Sequence, residues 1–370
     1  MDRVKISASQ LFVLVFLFEM GSSILFGLGA NAKQDAWITI LLGLAGGLIV
    51  FFIHYRLFLF YPELILTSSI QKIAGKWLGR IIALFYISYF IYTASVVLRD
   101  FGELLVTTVY TSTPLFIINS LMILTILYGI HKGLEVIARV GQIYFGIIYL
   151  MAIFGFLLII FSGLIHFEFL KPILENGWKP IFKEFLPGTL TFPFGEIVTF
   201  TMIYPFVKER KKIKFVCIGG MILSGINITI TVIISISTIG PELYSRSNFP
   251  LLTTVARIQL ANFIERLDVL FLLYLIISGF FKISLYFYAA VEGTADLFQF
   301  KKKEKLSFPI GMIVLFASIT TASTYAEFIK ENIVIFPYFL SLPFQIIIPS
   351  LLLLIAFFRN RKKKPDTNIN

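Results

Sequence analysis

Cysteine is almost missing from this chain. The single Cys217 in 370 residues leaves no partner for an internal disulfide and no thiolate set for a metal. Histidine is nearly as scarce: His54, His131 and His166 lie far apart, without ligand spacing, so no metal centre and no cofactor is expected. Charge is also short, at 14% of residues, where a soluble domain carries about 25%. No Walker loop, dinucleotide fingerprint, nucleophile elbow or zinc motif occurs, which removes the common enzyme classes. What is present is apolar: 58% of residues are hydrophobic and the mean hydropathy is +0.88. The composition is that of an all-α polytopic membrane protein.

The net charge of +11 invites a nucleic-acid reading, but the basic residues sit in short loops beside apolar runs and form no basic domain. Windows of about 20 apolar residues predict ten spans, near 9–30, 36–55, 81–107, 114–130, 138–162, 189–207, 214–238, 267–290, 308–326 and 334–357. Arg3 and Lys5 before the first run, with Ala30-Asn31-Ala32 after it, imitate a cleavable leader. The run is too long for a leader core and carries Glu19, so a first span is expected. Pro114 and Pro309 are expected in first turns of spans four and nine. Pro337, Pro343 and Pro349 should kink span ten.

Lys and Arg gather in the N-terminus, in alternate loops (Arg56 to Arg80, Lys208 to Lys214, Lys301 to Lys305) and in the tail from Arg359 to Lys364. That bias puts both termini on the cytoplasmic side and demands an even number of spans. The loop 62–79 reads as a short amphipathic helix, and the outer segments 166–186 and 241–265 as interfacial helices or lids. The whole chain reads as one transmembrane domain, with one five-span repeat over 9–162, a second over 189–357 and a basic tail at 358–370. Five is odd, so the two halves would be inverted.

Spans one and six are interrupted, the first by Glu19-Met20-Gly21-Ser22-Ser23 and the sixth by Phe192-Pro193-Phe194-Gly195-Glu196. Broken helices at corresponding places in two halves mark a midplane binding site, because unwound backbone survives at membrane depth only where it lines a cavity or is buried in protein. Gly21, Ser22 and Ser23 suit a ligand carboxylate if a second half-helix begins there with its N-terminus inward. Pro193 and Gly195 leave carbonyls free for an ammonium group, Phe192 or Phe194 would wall the pocket, and Glu196 is an intramembrane carboxylate. Glu19 and Lys282 are candidates for coupling or gating. Lys282 either seats its ammonium where other proteins hold a metal cation or snorkels to the surface. Arg99 and Glu103, four apart, are expected to form a structural ion pair. Gly43 and Gly47 suit close helix contact.

Several strings go further. DAWITILLG at 35–43, GKWLGRIIALFYISYFIYTASVVLRDFGE at 75–103, FPFGE at 192–196, FIERLDVLFL at 263–272 and FKISLYFYAA at 281–290 together resemble the B subunit of spore germinant receptors, the endospore germination permease family. That family is similar to amino acid–polyamine–organocation transporters. The resemblance implies ten helices in two inverted five-helix repeats, a small nutrient ligand such as an amino acid, and residence in the spore inner membrane. It also implies partnership with a receptor A subunit and a lipoprotein C subunit. On this pattern the nutrient carboxylate would rest on Gly21, Ser22 and Ser23 and its amine would face the carbonyls at Phe192 and Phe194. In sodium-coupled relatives a cation lies between helices one and eight, where this chain has Lys282. Glu19 and Met20 depart from the small or apolar residues more usual at the first break. A proton-coupled amino acid transporter is the competing reading.

Overall fold

The computed structural model describes residues 5–257, 267–322 and 324–360. The first helix, α1 (Ala8–Met20), starts on a reciprocal cap: Ser7 Oγ accepts from Gln10 N–H while the Gln10 side chain accepts from Ser7 N–H. It is apolar on every face and packs against neighbours on several sides, as an all-apolar helix must. It stops at Met20. No α-helix resumes before α2 (Ala36–Phe60); turns and a tight 3₁₀ segment (Ala30–Asp35) fill the gap. The expected inward N-terminus of a second half-helix at 21–23 is therefore corrected: the break presents the C-terminal end of α1.

The remaining elements are α3 (Leu66–Ala74), α4 (Lys76–Thr108), α5 (Leu115–Lys132), α6 (Leu134–Phe161), α7 (Trp178–Glu184), α8 (Ile213–Ile239), α9 (Pro241–Arg246), α10 (Pro250–Val255), α11 (Leu267–Phe298), α12 (Glu304–Thr320), α13 (Tyr325–Lys330) and α14 (Ile348–Arg359). Gly75 (φ +87°) and Gly133 (φ +94°) are single-residue joints between α3 and α4 and between α5 and α6; that backbone region is open chiefly to glycine. Among the described residues seven helices are long and apolar enough to cross a membrane. Large hydrophobic side chains such as Ile49, Leu121, Leu150 and Phe339 are exposed, as lipid-facing positions are.

Several local expectations need adjustment. The amphipathic stretch 62–79 is shorter, α3 alone, and Trp77 belongs to α4. Pro114 caps α5, whereas Pro309 lies inside α12 because that helix begins five residues earlier, at Glu304. The proline-rich final span is wound in wide turns over Glu331–Ile347 before α14, since each proline removes a donor from the regular ladder. Of the outer segments, α7, α9 and α10 are short helices, while 258–266 lies outside the described residues, as does the tail beyond 360.

The ends of the two interrupted elements meet. Ile6 N–H donates to Phe206 carbonyl at 2.9 Å, Lys208 N–H to Ile6 carbonyl at 2.9 Å, and Ala8 N–H to the Glu209 carboxylate at 2.9 Å. The N-terminus of α1 is thereby tied to the chain leaving the second break. Nearby, Thr67 and Ser68 at the start of α3 each donate to Asp296 of α11 at 2.6 Å, and Arg359 of α14 donates to the Lys72 and Ile73 carbonyls at its end. Anion at one end and cation at the other match the dipole of α3.

Candidate functional site

The second break is tighter than a kinked helix. Wide turns over Phe185–Thr189 give way to 3₁₀ winding over Phe194–Met202 and Tyr204–Phe206, with no α-helical segment between. What permits this is α2. A Cβ on Gly47 would come within 2.2 Å of Phe194 Cβ, and one on Gly43 within 2.6 Å of the Thr189 carbonyl oxygen. The glycine stripe thus lets the irregular chain lie directly on a helix. Thr189 Oγ1 donates to the Thr39 carbonyl at 2.6 Å and fixes the register. Phe194 is fully buried in that contact. Gly195 faces Gln345, whose Oε1 would lie 2.2 Å from an added Cβ. Gln345 Nε2 in turn donates to Tyr89 Oη at 2.9 Å, and its backbone carbonyl meets His54 Nε2 at 2.9 Å.

Across from this segment, Lys282 of α11 runs over the first break. A Cβ on Gly21 would be 2.6 Å from Lys282 Cδ and 2.9 Å from its Cβ, so glycine is required for the lysine to pass. The Lys282 ammonium ends 2.5 Å from the Glu196 carboxylate, with both side chains buried. It also lies 4.4 Å from the centre of the Phe192 ring and 5.3 Å from that of Phe18, in cation–π range. Of the two alternatives for Lys282, the surface-seeking one does not occur. Glu19 is completely buried, and neither carboxylate oxygen meets a hydrogen-bond donor among the described residues. Ser23 Oγ donates to the Glu19 backbone carbonyl. Arg99 Nε is 3.4 Å from Glu103, while its Nη1 donates to the Ala322 and Ile319 carbonyls at 2.8 and 3.2 Å and its guanidinium covers Phe328.

A cavity of about 310 Å³ adjoins both breaks. It reaches from exposed Arg246 and Asn248 and half-buried Glu184 down to half-buried Phe192 and buried Ser22 and Glu196. Of the residues singled out in the sequence, these last three line it. Gly21, Ser23, Phe194, Gly195, Glu19, Lys282, Arg99 and Glu103 do not line it. The face of α4 that completes the cavity is Thr93, Val96, Val97 and Asp100, none of which the sequence marks as a binding residue. Their spacing of three, four and seven is one helical stripe, a signal that was available but reads equally as packing. Gln345, a lone amide in an apolar span, is likewise unmarked.

At the mouth, the 3₁₀ segment after the first break is tied to the outer connectors. Asn31 donates to Glu184 at 2.5 Å, Gln34 to Glu175 at 2.8 Å, Leu174 N–H to Asp35 at 3.0 Å, and Lys33 to Glu242 at 2.5 Å. The Lys33 ammonium, by hydrogen bond and charge, holds the Glu242 carboxyl below its ordinary value.

Residues 5–326 match the sequence profile of the family described as "Spore germination protein". The chain is 41% identical over 364 residues to spore germination protein KB of Bacillus subtilis (strain 168), covering 98% of each chain. It is 26% identical over 314 residues to spore germination protein YndE of the same organism, covering 84% of this chain and 85% of the relative. In fold it is similar to MhsT in complex with L-phenylalanine, with a TM-score of 0.68, 13% identity, and coverage of 98% of this chain and 91% of that one. It is likewise similar to Mhp1, a nucleobase-cation-symport-1 family transporter with bromovinylhydantoin bound, with a TM-score of 0.73, 10% identity, and coverage of 98% and 80%. The chain belongs to the spore germination protein family, as a multi-pass, permease-like membrane protein with a transporter fold.

Proposed function

We propose that this chain is the B subunit of a spore germinant receptor in the spore inner membrane. It binds a small nutrient, an amino acid, in the cavity between the two breaks and passes a conformational signal to a receptor A subunit and a lipoprotein C subunit. The observation that carries this reading is the cavity of about 310 Å³, in the size range of small-molecule sites, bounded by both unwound segments. L-phenylalanine bound to MhsT and bromovinylhydantoin bound to Mhp1 are of compatible size.

We further infer ten spans in two inverted five-helix repeats within one transmembrane domain, with both termini cytoplasmic. Support comes from α1, the broken segment 185–207 and the 17-residue α12 beside the seven long helices. Lys282, paired with Glu196 next to the first break, takes the part of a coupling cation, so ligand binding should persist in sodium-free buffer. A strict sodium requirement would remove that assignment.

The test is Val97→Phe, which fills cavity space from α4. It should raise the nutrient concentration needed for half-maximal germination tenfold or more, a loss of about 1.4 kcal/mol, at normal protein level. An unmoved dose response would count against the site. Proton-coupled amino acid transport, the second reading, is favoured by the buried Glu19 and predicts uptake of labelled amino acids by proteoliposomes containing the chain alone.

A further inference from the structure

The lining of the cavity carries a charge pattern that the breaks alone do not reveal. Among the described residues its ionisable members are Asp100, Glu184, Glu196 and Arg246. Arg246 is at the exposed mouth and leans on Glu242 at 3.7 Å. Of the two buried cations near the deep end, neither lines the cavity: Lys282 is occupied by Glu196 at 2.5 Å and Arg99 is paired with Glu103 at 3.4 Å. Glu19 adds a further buried carboxyl outside the lining. The first break contributes the C-terminal end of α1, which carries partial negative charge, where a helix N-terminus would have carried positive.

Asp100 stands out within this set. It is 95% buried, taking its 5% exposure, it faces the cavity, and its carboxylate has no hydrogen bond or ion pair among the described residues. Its chain neighbour Arg99 is turned aside, held by Glu103 and by two carbonyls at the end of α12. A buried carboxylate without a partner is costly, and one that looks into a cavity beside apolar Val96, Val97 and Phe192 is matched by an amine on an apolar body.

We propose that Asp100 is the anchor for a cationic amino group of the ligand, and that the deep end of the cavity ranks ligands by charge: amine over zwitterion over carboxylate. This rests on the reading of the cavity as the ligand site and names the group that site recognises. Ser22 Oγ, buried and without a partner among the described residues, is left for a secondary polar group of the ligand.

The test uses three probes with one aromatic body, phenethylamine, L-phenylalanine and 3-phenylpropanoate, titrated calorimetrically into the full-length protein in nanodiscs at neutral pH. Phenethylamine should bind at least tenfold tighter than 3-phenylpropanoate, with L-phenylalanine between them. Asp100→Asn should weaken phenethylamine at least tenfold and leave or improve 3-phenylpropanoate, while Asp100→Glu should retain the order. Equal or tighter binding of 3-phenylpropanoate by the unaltered protein overturns the assignment alone, and does so without any variant having to fold. Unchanged phenethylamine affinity in an Asp100→Asn protein of normal melting temperature also overturns it. Failure of all three probes to bind at about 10 mM overturns it together with the cavity reading on which it rests.

Discussion

At the scale of single residues, the decisive fact is how one lysine is accommodated. Lys282 of α11 crosses the first break over Gly21 and ends on Glu196 of the second, so one ion pair ties a regular helix to the second break across the backbone of the first. Removing one member of a buried pair leaves an uncompensated charge, at about 3–5 kcal/mol. Lys282→Met and Glu196→Gln should each lower the melting temperature of the purified protein. The double variant should recover part of the loss, because neutral replacement of both groups leaves no orphan charge. Additive losses in this double-mutant cycle would show that the two side chains are not coupled. Gly21→Leu belongs to the same experiment. Its side chain would enter the space of Lys282 Cδ and the Phe18 carbonyl, 2.6 and 2.9 Å from a Cβ there, so it should behave like Lys282→Met. A Gly21→Leu protein with normal stability would contradict the close crossing.

At the scale of elements, α2 acts as the bed on which the second break lies. Gly43 and Gly47 read in the sequence as a helix–helix contact; they in fact admit an irregular backbone, because Phe194 and Thr189 come closer than any Cβ allows. Gly47→Val should therefore displace Phe194 and destabilise the protein by about 1–3 kcal/mol, the usual scale of overpacking. Val50→Leu, one turn further on, should be milder. Thermal melts of the two proteins decide the matter, and equal melting temperatures would refute the contact. This region also shows what was legible in advance. Pro193 and Gly195 announced a break, since both disrupt a helical ladder locally. The partners that hold it, Gln345 from the last span and the glycine stripe of α2, are remote in sequence, and nothing beside Pro193 or Gly195 points to them. For the same reason Gly21, Ser22 and Ser23 announced that α1 must stop but not that no helix would resume behind them. On α4, the pairing of Arg99 with Glu103 was visible as an i, i+4 spacing, whereas the exposure of Asp100 to a cavity depends on what the facing elements leave open.

At the scale of the whole molecule, the 3₁₀ segment that follows the first break connects the deep site to the outer surface. Asn31, Gln34 and Asp35 hold the connector between α6 and the second break, and Lys33 holds α9, whose Arg246 lines the cavity mouth. If the cavity signals as proposed, a displacement at Ser22 has a contiguous hydrogen-bonded route through this segment to both outer connectors. Of the ties just named on this route, the Lys33–Glu242 link is the ion pair. Because the folded protein holds Glu242 below its ordinary pKa of 4.5, the link is fully in force above that value. It is lost as pH falls through the lowered one. Being exposed, it is also screened by salt. Hydrogen exchange across residues 241–246 should consequently be slow and independent of pH through the neutral range once the intrinsic exchange rate is divided out. Protection should fall only as the medium is taken below 4.5, and earlier in high salt. Glu242→Gln should show the low-pH exchange level already at pH 7, while Glu175→Gln, which alters a different tie, should leave 241–246 protected. Protection of 241–246 that is indifferent to Glu242→Gln would mean that α9 is held by its packing on the 3₁₀ segment and that the ion pair transmits nothing.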